Sequence, residues 1–193
     1  MDELRGVYAD KLYGGHFRFG QYPQDADGGI KPILWRVLRR EPRSLLAISE
    51  LGLDSRPYNE EPGEAVWAGC SLRRWLNGVF FATAFNELER ALIVSECVCN
   101  NAGPATKDRV FLLSSDEAED LLVSDGRRRA RATEYAVKQG VRLGSYCSCW
   151  WWLRSRGRAN DYAGVVISVG DVSDYRYIGD GSVAVRPAVR LAL

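Results

Sequence analysis

Short apolar runs rich in β-branched and aromatic residues fill the chain before residue 50 and again after Cys149, while the middle carries apolar residues at helical spacing. This segregation constrains the fold more than any other feature of the sequence. "HFRFGQYPQ" alternates and then turns at Pro23, and "KPILWRVLRR" and "RSLLAISE" read as a hairpin about "EP". Asp25–Gly29 is a turn cluster, and "LDSRPYNEEPGEAVWAG" is a long polar loop. In "CSLRRWLNGVFFATAF", Leu72, Trp75, Leu76, Val79 and Phe80 share one helical face. Asn86 with Glu89, and Ser114 with Glu117, have the spacing of capping boxes that open short helices. Residues 100–108 read as a loop, "RVFLLS" as a strand and "RATEYAVKQG" as a short helix ending at Gly140. The last block holds four β segments: "CWWWLRS", "YAGVVISVG", "DVSDYRYIG" and "AVRPAVRLAL". Strands at both ends and helices between them predict a single α+β domain over 1–193, with N- and C-terminal strands paired. No repeat or linker divides it.

Composition excludes several classes. A formal net charge of +1 argues against capture of nucleic acid by bulk electrostatics. The basic cluster Arg127, Arg128, Arg129 and Arg131 reads as a solvated loop leading into a helix, with a phosphate site as the alternative. With one histidine, His16, any Ser-His-Asp or Cys-His mechanism would rest on a single residue. The five cysteines include two C-x-C pairs, Cys97/Cys99 and Cys147/Cys149. Four thiolates could hold zinc, but zinc hairpins usually space them C-x-x-C, so the expectation is small core residues, no metal and no cofactor. The apolar runs are too short to span a bilayer, and "MDELRGVYAD" has no signal-peptide pattern. Synthesis in the cytoplasm is expected, with display on a phage particle or cell surface left open.

One stretch asks for a reason. Ser155 to Pro187, "SRGRANDYAGVVISVGDVSDYRYIGDGSVAVRP", interleaves Arg, Asn, Asp, Tyr and Ser with Gly, Ala and Val. Tyr gives a large, rigid, amphipathic contact at the cost of two χ angles, and Ser, Gly and Asn give adaptable hydrogen bonds. Arg adds hot-spot capacity. Val165, Val169, Val172, Ala184 and Val185 suit a fixed sheet beneath them. In the triplet Trp150–Trp152, alternation sends Trp151 opposite to its neighbours. At least one indole then faces the core, and the exposed one can floor a binding surface.

Taken in order, "FGQYPQ", "PILWRVL", "SRPYN", "CSLRRWLNGVFFATAF", "DRVFLLSSDEA", "WWLRS" and "VRPAV" resemble a bacterial and phage domain family of uncharacterised function. The resemblance runs from about residue 17 to 190 and is specific as a set. It implies a C-type lectin-like fold of the formylglycine-generating-enzyme type, with small twisted antiparallel sheets and flanking helices. It also implies a variable protein of a diversity-generating retroelement, in which adenines of a C-terminal segment are rewritten, commonly at AAY codons. Residues 156–183 fit that chemistry: they lack Lys, Glu, Gln, Trp and Met, which substitution at those adenines cannot produce.

On this reading the chain is a receptor-type binding protein and not an enzyme. Its variable segment is about 154–185, and its partner is a macromolecule, with a protein the expected ligand and neither nucleic acid nor membrane insertion involved. The contact residues expected are Arg156, Arg158, Asn160, Asp161, Tyr162, Ser168, Asp171, Ser173, Asp174, Tyr175, Arg176, Tyr177, Asp180 and Ser182. Trp151, Trp152, Arg154 and Arg186 are expected to be scaffold, the two arginines bonding carbonyls between loops and strands. "AND" at 159–161 is only a faint echo of a lectin calcium loop, so no calcium-dependent sugar site is expected. Two other readings stay open: a cysteine- or metal-dependent enzyme of the formylglycine-generating type, and a fixed-partner structural domain of a phage or cell surface.

Overall fold

A computed structural model describes residues 15–193. The segment read above for a signal peptide lies outside the described residues. Strands are numbered in chain order: β1 His16–Pro23, β2 Ile30–Glu41, β3 Ser44–Ser49, β4 Asp54–Ser55, β5 Ile93–Val94, β6 Glu96–Val98, β7 Thr106–Asp108, β8 Val110–Phe111, β9 Trp151–Arg156, β10 Tyr162–Val166, β11 Val172–Tyr177, β12 Ala184–Val185 and β13 Ala188–Ala192. The helices are short: α1 Ser71–Trp75, α2 Phe81–Ala84, α3 Glu87–Leu92, α4 Ser115–Leu121, α5 Asp125–Arg128 and α6 Glu134–Gln139. The protein is α+β, mostly sheet. No described helix is long and apolar enough to cross a membrane.

Two sheets carry the fold. The first runs β1-β2-β3-β13-β5, with β8 also paired to β13. The second runs β11-β10-β9-β12-β4, and β6 and β7 form a separate hairpin. The C-terminal strand does join the N-terminal block, as expected, but beside β3 and not β1: Ala188 faces Ile48 and Ala192 faces Ser44. β1 is left on the sheet edge. The hairpin β6–β7 corrects the loop expected at 100–108, since Thr106–Asp108 pairs with Glu96–Val98.

Two of the chain's passages between the sheets are direct, from β3 to β4 and from β12 to β13, and they run side by side. Ser49 N donates to Pro187 O (2.9 Å) and Leu53 N to Val185 O (2.9 Å). Arg186 sits at this junction, fully buried, its Nε donating to Ser49 O at 2.8 Å. Burial there lowers its pKa to about 10, and the charge of Arg36 adds to the shift.

Both capping boxes form: Asn86 and Glu89 bond each other's backbone N–H at α3, and Ser114 and Glu117 do so at α4. Thr133 caps α6, which ends at Gly140 with φ 125°. The long helix expected at 70–85 is interrupted instead. A π-helical turn, Leu76–Phe80, separates α1 from α2. Its wider winding shifts the face. Leu72, Leu76 and Phe80 are buried, but Val79, expected beside them, is 61% exposed.

Trp35, Trp67, Trp151, Trp152 and Tyr58 are wholly buried. Burial of polar-tipped rings requires partners for their N–H and O–H groups. Trp35 donates to Phe19 O, Trp67 to Asp108 Oδ2, Trp151 to Arg128 O, Trp152 to Arg56 O and Tyr58 to Arg154 O. The expected contrast between Trp151 and Trp152 therefore does not hold, because β9 is covered on both faces. The cysteine reading also needs correction. Cys70 and Cys149 are buried, but Cys97, Cys99 and Cys147 are exposed. No group of three or more His, Cys, Asp and Glu side chains that could hold a metal occurs among the described residues.

Candidate functional site

β9, β10 and β11 are successive antiparallel strands, so residues 151–177 form two hairpins at one end of the second sheet, with β11 on the edge. On β10, Ala163, Val165 and Val166 are wholly buried. On β11, by contrast, Tyr175 and Tyr177 are 52% and 47% exposed. This hairpin therefore has a buried strand holding an exposed one.

The hairpin brings the tyrosines together. Tyr162 pairs with Tyr177 across the strands. Tyr162 also stacks on Tyr175, with ring centroids 4.7 Å apart and planes within 11°. The hydrogen bond with the Tyr175 hydroxyl, followed by that group's charge, pushes the Tyr162 phenol above its ordinary pKa. The Arg158 guanidinium lies 3.9 Å from the Tyr175 ring centroid, and Arg158 Nε lies 3.6 Å from Asp174 Oδ1. Arg176 stands 4.7 Å over the Trp150 ring and is ion-paired to Asp180, whose Oδ1 accepts from Ser182 Oγ at 2.6 Å.

Trp150, Tyr162, Tyr175, Arg176, Tyr177 and Asp180 line one shallow depression of about 450 Å³. A smaller one of about 190 Å³ shares Trp150 and Arg176 and adds Arg142, Leu143 and Ser182. Trp150 is the half-exposed indole of the triplet and forms the floor between them. Arg142 and Leu143 escaped the sequence reading because they lie upstream of β9, in a loop without any pattern of its own.

Not every expected contact residue gathers here. Ser168 is buried at 8% exposure, so it is placed with the scaffold: a Cβ on Gly144 would stand 2.6 Å from its hydroxyl. Arg156 and Asn160 bond each other and reach Glu64 instead, and Asn160 O accepts from Ala65 N at 2.6 Å. Asp161 O accepts from Ile178 N. Asp171 is exposed and Ser173 half-buried, and neither lines either depression.

The loops under the hairpin are closely fitted. A Cβ on Gly157 would lie 2.1 Å from Asp174 O, so only glycine lets the β9–β10 loop cross β11. Arg154, 4% exposed, donates through Nε and Nη2 to Cys99 O, through Nη1 to Leu112 O, and through both Nη atoms to the Glu117 carboxylate. Burial alone would raise the Glu117 pKa, but the hydrogen bond and charge of Arg154 hold it below its ordinary value. Arg154 thus ties β9 to the cap of α4 and the end of β6.

A family model described as a domain of unknown function (DUF6273) matches residues 43–193. The matched region takes in both sheets' junction and the tyrosine hairpin, and the chain belongs to this family. No curated protein and no solved structure matches it.

Proposed function

We propose that this DUF6273 protein is a ligand-binding protein, not an enzyme, which recognises a macromolecular partner, a protein, through the β10–β11 hairpin. The observation that carries the reading is the concentration of Tyr162, Tyr175, Tyr177, Arg176 and Trp150 around one shallow depression on an edge hairpin whose inner residues are wholly buried. Rigid aromatic and guanidinium groups lose little rotamer freedom on binding and supply large contact area. The half-exposed rings leave the depression broad, which suits a protein surface better than a small molecule, whose site would enclose it. On this reading the scaffold is C-type lectin-like, and residues 154–185 are diversified by a retroelement. The separation of buried, fixed positions from exposed ones within one hairpin supports that, since exposed positions can change without repacking the core.

The encoding DNA tests the proposal. A near-identical copy of the segment for Trp150–Pro187 is expected near a reverse transcriptase gene, differing from it at adenines of the copy. The differing codons should fall on Tyr162, Tyr175, Arg176 and Tyr177 and spare Ala163, Val165 and Val166. A locus without such a copy, or with differences on the buried positions, would refute diversification. Loss of a protein partner captured by intact cells' crosslinking, on replacing the three tyrosines by Ala, tests binding separately.

A further inference from the structure

A second cleft, sharing no residue with the tyrosine hairpin, lies where the sheets meet. Its volume is about 470 Å³, and its wall includes Arg36, Glu50, Leu51, Arg129, Arg131, Tyr146 and Ser148. Arg129 and Arg131 belong to the basic cluster whose sequence reads as a solvated loop. The segment bearing them is extended and pinned on both sides. Gly52 N donates to Arg131 O at 2.8 Å, and Cys149 N to Ala130 O at 2.8 Å. Ala130 is buried, so Arg129 and Arg131, two residues apart, share the outward face.

The charges in this cleft do not balance. Its one carboxylate, Glu50, is already engaged: Arg36 Nη2 and Nε donate to its two oxygens, and His16 Nε2 lies 3.0 Å from Oε2. Arg129 and Arg131 have no carboxylate within ion-pair distance among the described residues. Behind the wall, Arg186 bonds the carbonyls of Ser49 and Arg128, the residues preceding Glu50 and Arg129. Its Nη2 is buried and without a partner. Glu50 is shared between Arg36 and the field of Arg186, so a buried guanidinium with an unpartnered Nη2, behind two arginines without a carboxylate, leaves positive charge that an anion would offset.

Tyr146 supplies the other wall. Its ring is 68% exposed and has the Arg129 guanidinium 4.3 Å from its centroid. Tyr146 and Cys147 have φ of 60° and 53°, the only non-glycine residues with positive φ among those described. Consecutive left-handed residues are costly and hold only where the surroundings enforce them. Here they turn the ring beside the arginines.

We propose that this cleft binds a phosphate monoester of a small organic molecule. The phosphate sits between Arg129 and Arg131, which can offer forked donors, and the organic group lies against Tyr146 and Leu51. The volume leaves room for more than a bare phosphate.

Calorimetry on the whole chain tests this with phenyl phosphate, inorganic phosphate and an oligo-deoxyadenylate. Phenyl phosphate should bind one to one, at least about tenfold more tightly than inorganic phosphate. Arg129→Ala with Arg131→Ala should weaken it by about tenfold or more with little change in melting temperature, because Arg131 is exposed and Arg129, half-buried, packs on the exposed Tyr146 ring. Should the double variant not fold, Arg131→Ala alone, at an exposed residue, should still weaken phenyl phosphate several-fold. No saturable binding by about 10 mM phenyl phosphate would overturn the proposal, as would unchanged affinity in the variants. Equal affinity for the two phosphates would remove the organic subsite, and tighter binding of the oligonucleotide per phosphate would replace the small molecule with a nucleic-acid backbone.

Discussion

Replacing Arg154 by Ala isolates an interaction that ties β9, and with it the tyrosine hairpin, to α4 and the end of β6. The substitution removes every donor to Cys99 O, Leu112 O and the Glu117 carboxylate that Arg154 now makes. Breaking a buried ion pair from one side costs about 3–5 kcal/mol, because the remaining charge is left without compensation. The Glu117 side chain is 36% exposed, so water recovers part of that, and about 2–4 kcal/mol is expected. For a domain of this size that corresponds to a fall of about 5–15 °C in melting temperature. Circular dichroism with urea titration at pH 7 measures it. The pH dependence is a stricter test. The Glu117 pKa is depressed in the folded protein, so its contribution is present above the unfolded value, 4.5, and fades as pH falls through the folded value. The variant should therefore lose least against the parent in acid, and most at neutral pH. Arg154→Met with Glu117→Leu should recover part of the loss, since an apolar pair removes both charges while the Glu117 half of the capping box and the bonds to Cys99 O and Leu112 O are still lost. A loss under about 1 kcal/mol at pH 7, or one that does not shrink in acid, would refute the account.

Other expectations follow from geometry. Gly157→Ala must displace the Asp174 carbonyl and should cost about 1–3 kcal/mol by denaturant titration, since the obstacle is backbone. Tyr162→Ala with Tyr175→Ala and Tyr177→Ala should cost little more than the stacking of one pair, about 0.5–1.5 kcal/mol; a much larger fall would place the rings in the core. A thiol reagent at pH 8 should modify Cys97, Cys99 and Cys147 quickly. Cys149 should resist until the protein unfolds, because burial pushes its pKa up to about 12.

Local signals were the legible ones. The capping boxes at Asn86 and Ser114 and the stop at Gly140 depend on neighbours within a few residues, and each stands where the spacing puts it. Elements that depend on distant partners were harder to read. The tryptophan triplet was read by alternation, which assumes one wet face, but β9 lies under cover on both. The π-helical turn at Leu76–Phe80 leaves no mark in the apolar spacing until Val79 is found outside. The strand partner of β13 was ambiguous because every strand of the first block has similar apolar residues. For the candidate site, residue type pointed to the tyrosines, but Ser168 looked like its neighbours until Gly144 was seen packed against it. The basic run reads as solvated for the same reason: nothing local says that Ala130 faces inward and puts Arg129 and Arg131 on the other face together.

The place of β13 bears on how the protein is made. Residues 188–192 fill the gap between β3 and β5, a position in the middle of the first sheet. During translation, β3 must wait with one edge open while well over a hundred further residues are added. The hydrophobic face of β1–β3 is a hazard through that interval, and chaperone dependence should track it. Clipping those five residues late would not trim an edge; it would split the sheet, leaving β5 and β8 with nothing to pair to. A tag or fusion that slows the emergence of residue 188 from the ribosome should lower the yield of soluble protein even where it leaves the finished fold untouched.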